Sequence, residues 1–129
     1  MRIVFLPGLL CDGGVFTAQT AALARRVGIS IADFTEAKTI EDMARAALDA
    51  FEGPVALVGF SMGGRAAIEA ARLAPGRVAR VCLMGTGFAA ASDTERRERR
   101  AALDLVRRQG IGALGSRLGG RRGPSRPPC

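Results

Sequence analysis

Histidine is missing altogether from this 129-residue chain, and so are tryptophan and tyrosine. Without histidine, the side chain that most often acts as a general base near neutral pH is not among these residues. Without Trp and Tyr, the core must come from aliphatic side chains and six Phe. Lysine occurs once, as Lys38. The three cysteines, Cys11, Cys82 and Cys129, are odd in number and show no Cys-x-x-Cys spacing. That pattern argues against a disulfide framework and a zinc site, so reduced thiols in a cytoplasmic protein are expected. No run approaches the roughly 18 apolar residues that a membrane span requires. The apolar start is broken by Pro7-Gly8 and lacks a small-residue cleavage site, unlike a signal peptide. Leu10 before Cys11 speaks equally against a lipoprotein site, which needs a small residue there. A soluble chain is expected.

The rest of the composition is that of a globular domain. Hydrophobic residues make up 48% and charged residues 24%, and the length allows one domain around one core. The net charge of +7 is uneven: residues 1–91 carry nine basic and eight acidic side chains, residues 92–129 ten and four. A nucleic-acid footprint is a clustered basic face on a folded element, with aromatics where single strands bind. The body of the chain has neither, so no nucleic-acid partner is expected.

Strand and helix patterns alternate, which predicts parallel strands joined by crossover helices. Arg2–Leu6 is a short apolar run ended by Pro-Gly, hence a buried strand. A helix is expected from about Gly14 to Val27, with Val15, Ala18, Ala22 and Leu23 on one face, and a second strand over Ile29–Phe34. Thr39-Ile40-Glu41-Asp42 resembles a capping box with Asp in place of Glu. Ile40, Met43, Ala44, Ala47, Leu48 and Phe51 then recur at helical spacing, and Gly53-Pro54 stops that helix. Val55–Val58 is a continuous apolar run, as in a strand covered on both faces. Residues 62–74 predict a helix ended by Pro75-Gly76, and Val78–Met84 a fourth strand. Ser92-Asp93-Thr94-Glu95 is a second capping box, opening a charged helix to about Gln109 with Glu95/Arg99 and Asp104/Arg108 at i,i+4 spacing.

After about Leu114 the period is lost, and Gly115–Cys129 is expected to be a disordered Arg/Gly/Pro-rich tail. Such a tail reads as a basic arm, as a terminus without order, or as translation out of frame in a GC-rich gene, which yields mostly Arg, Gly, Pro and Ala. Eighteen Arg against one Lys, and the abrupt change near Leu114, favour the last.

Gly59-Phe60-Ser61-Met62-Gly63 is a GxSxG sequence between an apolar strand pattern and a small-residue helix pattern, the context of a nucleophile elbow. Such a turn presents an attacking serine, with glycines where strand and helix backbones approach. Ser61 is therefore the candidate nucleophile. The Met62 N–H, at a helix N-terminus, points where an oxyanion would form. Leu6-Pro7-Gly8-Leu9-Leu10-Cys11-Asp12, a strand entering a glycine turn, is where a second oxyanion donor would arise: Leu9 N–H first, Leu10 second. Lys38 as a base would need hydrogen-bond reach and a desolvated amine, and it lies a strand and a helix before Ser61, so it is disfavoured. Cys11 reads as a small packing residue rather than a reactive thiol. Gly85-Thr86-Gly87 lacks the spacing and lysine of a phosphate loop and reads as the end of a strand.

The LPGLLCD loop and the elbow together resemble the α/β-hydrolase superfamily, specifically its short single-domain serine hydrolases. Pro7 stands where the family often has His. Val81-Cys82-Leu83-Met84-Gly85-Thr86-Gly87, followed by Asp93-Thr94-Glu95-Arg96-Arg97, also looks like the family's passage into a lid. The resemblance covers about residues 2–114 and only the N-terminal half of a typical member. It implies a partial α/β-hydrolase fold, a parallel sheet of about four strands in the order second, first, third, fourth, with the fourth left as an uncovered edge open to self-association. It implies a Ser-acid-His triad acting on a small-molecule ester, lactone, thioester or similar acyl bond, with no metal or organic cofactor. The acid and the His cannot be assigned here, and Asp93 and Asp104 fall in the lid-like segment. The chain is thus expected to be truncated and inactive alone. A non-catalytic binding protein with a basic tail is the alternative.

Overall fold

The computed structural model describes residues 2–87 and 89–119. The chain divides into two compact units, residues 1–88 and 89–129. In the first, β1 (Arg2–Leu6), β2 (Gly28–Ile31), β3 (Val55–Phe60) and β4 (Val78–Met84) form one sheet in the order β2-β1-β3-β4, every neighbouring pair parallel. The crossovers between them hold a 3-10 turn at Gly13–Phe16 running into α1 (Thr17–Leu23), then α2 (Ile40–Asp49), then α3 (Met62–Leu73). This is the expected partial α/β-hydrolase topology.

The two central strands read as unbroken apolar runs because helices cover both faces. Alternate side chains separate into two clusters. Val4, Leu6, Val55 and Leu57 pack with Ala44, Ala47 and Leu48 of α2 and Ala66, Ala67 and Ala70 of α3. Ile3, Phe5 and Ala56 pack on the opposite side with Phe16, whose ring centroid lies 4.8 Å from that of Phe5. Removing each large side chain from water stabilises the fold by about 1.5–3 kcal/mol. The alanines of α3 let that helix lie close over the sheet. Arg77 joins the C-terminal end of α2 to the start of β4, its guanidinium donating to the carbonyls of Leu48, Phe51 and Gly53.

The first crossover differs from expectation. A continuous helix from Gly14 would bury Ala18 and Ala22, but both are exposed and Phe16 is buried instead. The Asp12 carboxylate accepts from Gly14 N–H at 2.8 Å and caps a 3-10 turn. Its tighter winding changes the phase of the side chains and turns Phe16 into the core. Strand β2 is also shorter than expected, though Ala32 N–H still donates to Phe5 O at 2.8 Å.

The second unit contains α4 (Asp93–Gln109) and α5 (Ile111–Gly119), joined at Gly110, where φ is 79°. Ser92 and Glu95 form the expected capping box, Glu95 N–H donating to Ser92 Oγ at 3.2 Å and Ser92 N–H to Glu95 Oε2 at 2.8 Å. Glu95 pairs with Arg99 at 3.8 Å as expected, but Asp104 pairs with Arg107 at 3.7 Å rather than with Arg108. Positions i+3 and i+4 are equivalent neighbours on a helix, and spacing alone does not choose between them. Residues 115–119, expected to be tail, close α5. Gly110 ends α4, Leu114 is buried, and once a turn is nucleated each further residue adds a hydrogen bond at low cost. The remainder of the expected tail, 120–129, lies outside the described residues.

Candidate active site

Ser61 occupies the carboxyl end of β3, an interior strand, and is the residue from which α3 starts. Its φ of 52° and ψ of −112° are unfavourable for any residue with a side chain, and its side chain makes no capping bond to the helix. Such strain persists only where neighbours over-determine it. Three glycines make the close approach possible. A Cβ at Gly59 would overlap Gly64, one at Gly63 would overlap the Leu6 and Pro7 carbonyls, and one at Gly64 would overlap the Thr86 side chain. The first turn of α3 thus rests directly on the exit of β1, and the elbow and the LPGLLCD loop are neighbours.

That loop is a turn closed by Cys11 N–H donating to Gly8 O at 3.1 Å, with Leu10 at φ 58°. Leu9 and Leu10 are exposed, and Cys11 is half-buried. Phe60 is a wedge beside the elbow. Its ring lies 3.1 Å from where a Gly8 Cβ would stand and 3.5 Å from the equivalent position at Gly85, so it touches the loops after both β1 and β4. Met62 opens α3, so its N–H belongs to the first turn of that helix. The N–H groups that open a helix lack the usual carbonyl one turn earlier and form the positive end of its dipole.

The loop after β4 completes the frame. Gly85 bends the chain at φ 58°, Ser61 N–H donates to Met84 O at 2.9 Å, and the Thr86 hydroxyl donates to Ser61 O at 3.0 Å. From residue order alone Gly85-Thr86-Gly87 is the end of a strand, and nothing in it foreshadows this contact. A usable signal was the pair Gly63-Gly64, whose second glycine leaves space for a side chain from a neighbouring loop.

Other candidates lie elsewhere. Lys38 is exposed at the start of α2, so its amine is not the desolvated base that a Ser-Lys pair requires. Asp93 and Asp104 belong to α4 and pair with Arg96 at 3.4 Å and Arg107 at 3.7 Å. Among the described residues no group of three His, Cys, Asp or Glu side chains could hold a metal ion.

A parallel sheet whose central strand ends in a strained serine at a helix N-terminus is the architecture of α/β hydrolases. The sequence model of the alpha/beta hydrolase fold matches residues 16–112. The chain belongs to that family. No curated protein sequence matches it. Among solved structures it is similar to a thermophilic esterase from Thermogutta terrifontis, at 27% identity and a TM-score of 0.80, over 94% of this chain and 50% of the esterase. Est816, described as an N-acyl homoserine lactone degrading enzyme, shares the fold at 24% identity and a TM-score of 0.69, over 93% of this chain and 50% of its own. An esterase from Exiguobacterium antarcticum does so at 18% identity and 0.70, over 93% and 53%. The chain spans about half the length of these structures.

Proposed function

We propose that this chain carries the nucleophile and oxyanion half of a serine hydrolase acting on small-molecule acyl bonds, carboxylic esters first among them. The observation that carries the reading is the backbone of Ser61, held at φ 52° at the carboxyl end of an interior parallel strand. Strain of that kind on a serine has a purpose where the hydroxyl must stand clear of both strand and helix. The likeness to the Thermogutta esterase supports the substrate class.

In this reading the Ser61 hydroxyl oxygen bonds to the acyl carbon while its proton passes to a base. The carbonyl oxygen, now negative, is held by the Met62 and Leu9 N–H groups, which stabilise it more than the ground-state carbonyl. The leaving alkoxide departs with the proton, and water then releases the acyl group from Ser61 by the same steps in reverse roles. No step calls for a metal or organic cofactor. Because the 129 residues contain no histidine, this reading takes the base, and the carboxylate that would orient it, from outside them. A cytoplasmic location is a separate part of the proposal, supported by Cys11 and Cys82 as free thiols; no helix of the described residues is long and apolar enough to cross a membrane. The proposal includes self-association through the open edge of β4.

Hydrolysis of p-nitrophenyl butyrate tests the proposal. The 129-residue chain is expected to cleave it near the uncatalysed rate, and added imidazole, supplying the missing base, to raise a component that Ser61→Ala removes. Equal imidazole dependence in both proteins would refute the nucleophile assignment. A high Ser61-dependent rate without imidazole would refute the absence of a base.

A further inference from the structure

Both peptide groups flanking Ser61 are tied to one short stretch, Met84–Thr86. On the amino side, Ser61 N–H donates to Met84 O at 2.9 Å. On the carboxyl side, the Thr86 hydroxyl lies 3.0 Å from Ser61 O and 3.3 Å from Met84 O. A hydroxyl has one proton to donate, and the shorter distance assigns it to Ser61 O. That oxygen also accepts from Gly64 N–H at 3.1 Å, a bond local to the first turn of α3. The Thr86 bond is therefore the one that ties this carbonyl to the loop after β4.

A peptide group is planar, so the Ser61 carbonyl and the Met62 N–H belong to one rigid unit and point in opposite directions. Whatever fixes the carbonyl fixes the N–H. Ser61 itself does not supply that rigidity, because its φ and ψ lie far from a favoured well. We infer that Thr86 is a positioning residue: its hydroxyl sets the Ser61–Met62 peptide plane and so aims the Met62 N–H at the oxyanion. The catalytic half of this inference rests on the reading of Ser61 as nucleophile, whereas the geometric half does not. Gly64 is part of the same device, since a Cβ there would displace the Thr86 hydroxyl. Gly85, at φ 58°, turns the chain so that Met84 and Thr86 reach the two sides of one residue.

Residual dipolar couplings of backbone N–H groups report bond directions and test the inference on the 129-residue chain. In Thr86→Val the Met62 coupling is expected to change while those of β1 and β3 stay as in the wild type, and in Thr86→Ser it is expected to return. An unchanged Met62 coupling in Thr86→Val overturns the inference, as does a change that Thr86→Ser fails to reverse. If Thr86→Val loses the folded spectrum, Thr86→Ala, which places no methyl against two carbonyl oxygens, is read in the same way. The consequence for reactivity is measured as the rate of modification by a p-nitrophenyl alkylphosphonate, whose negative oxygen resembles the oxyanion, with imidazole as base. That rate is expected to fall about ten- to a hundredfold in Thr86→Val and to recover in Thr86→Ser. A coupling that moves without a change in rate also overturns the positioning role. If wild type and Ser61→Ala are modified alike, it is the nucleophile assignment that fails, and the couplings alone decide whether Thr86 sets the plane.

Discussion

Ser61 and the glycines around it carry opposite risks for stability. Holding Ser61 at φ 52° and ψ −112° costs about 1–3 kcal/mol relative to a relaxed backbone. Ser61→Gly is therefore expected to raise stability by about 1 kcal/mol in chemical denaturation, the relief being partly offset by the entropy of glycine. Ser61→Ala keeps the strain and should leave stability within about 0.5 kcal/mol. A Ser61→Gly protein less stable than Ser61→Ala would contradict the strain. Gly63→Ala goes the other way, because its Cβ meets backbone carbonyls that no side-chain rotation can clear. It should destabilise by about 3 kcal/mol or more, and an unchanged denaturation midpoint would contradict the packing. Gly59, Ser61 and Gly63 were legible in the sequence because the elbow is a local turn and its demands fall on adjacent residues. Thr86 was not, because its partner lies 25 positions away across a parallel crossover.

Helix α2 shows how a short motif sets an element boundary and its response to pH. Asp42 N–H donates to Thr39 Oγ1 at 3.0 Å, and the Asp42 carboxylate accepts from the N–H of Thr39 at 2.9 Å and of Lys38 at 3.1 Å. Thr39→Ala should cost about 1 kcal/mol of stability by denaturant titration. The bonding with Thr39 first, and then Lys38 N–H, holds the Asp42 carboxyl below its ordinary value of 3.8. A folded value below the unfolded one means that the contribution is complete above 3.8 and is lost as pH falls through the folded value. Amide protection at Lys38 and Thr39 should therefore decline in that acidic range and become insensitive to it in Asp42→Asn. Protection that is flat in the wild type would contradict the box. The capping boxes and the stripe of α2 could be read directly from residue order. The first crossover could not, because the Asp12 cap converts one helical turn to 3-10 winding and rephases Phe16. The end of α5 was missed because Leu114, the buried residue that holds its middle, precedes a stretch with no apolar period of its own.

At the scale of the molecule, the order β2-β1-β3-β4 leaves β4 on the edge with Val81 and Leu83 exposed. An edge of this kind is a template for pairing with another chain. Sedimentation should show concentration-dependent association that Leu83→Lys weakens, and a wild type monomeric across all concentrations would contradict it. Alternation of strand and helix patterns is enough to predict parallel strands with crossovers, whereas the order of the strands is implied only by the resemblance to α/β hydrolases. The division of the chain into two units was not legible, because the charged helical pattern from Ser92 carries no mark of a boundary near residue 88. Whether Ser61 accepts the acyl group is read by mass spectrometry of the chain after phosphonate treatment with imidazole. One adduct is expected, on the peptide containing Ser61, formed faster as imidazole is raised. An adduct on any other residue, or no dependence on imidazole, would contradict Ser61 as the acyl acceptor.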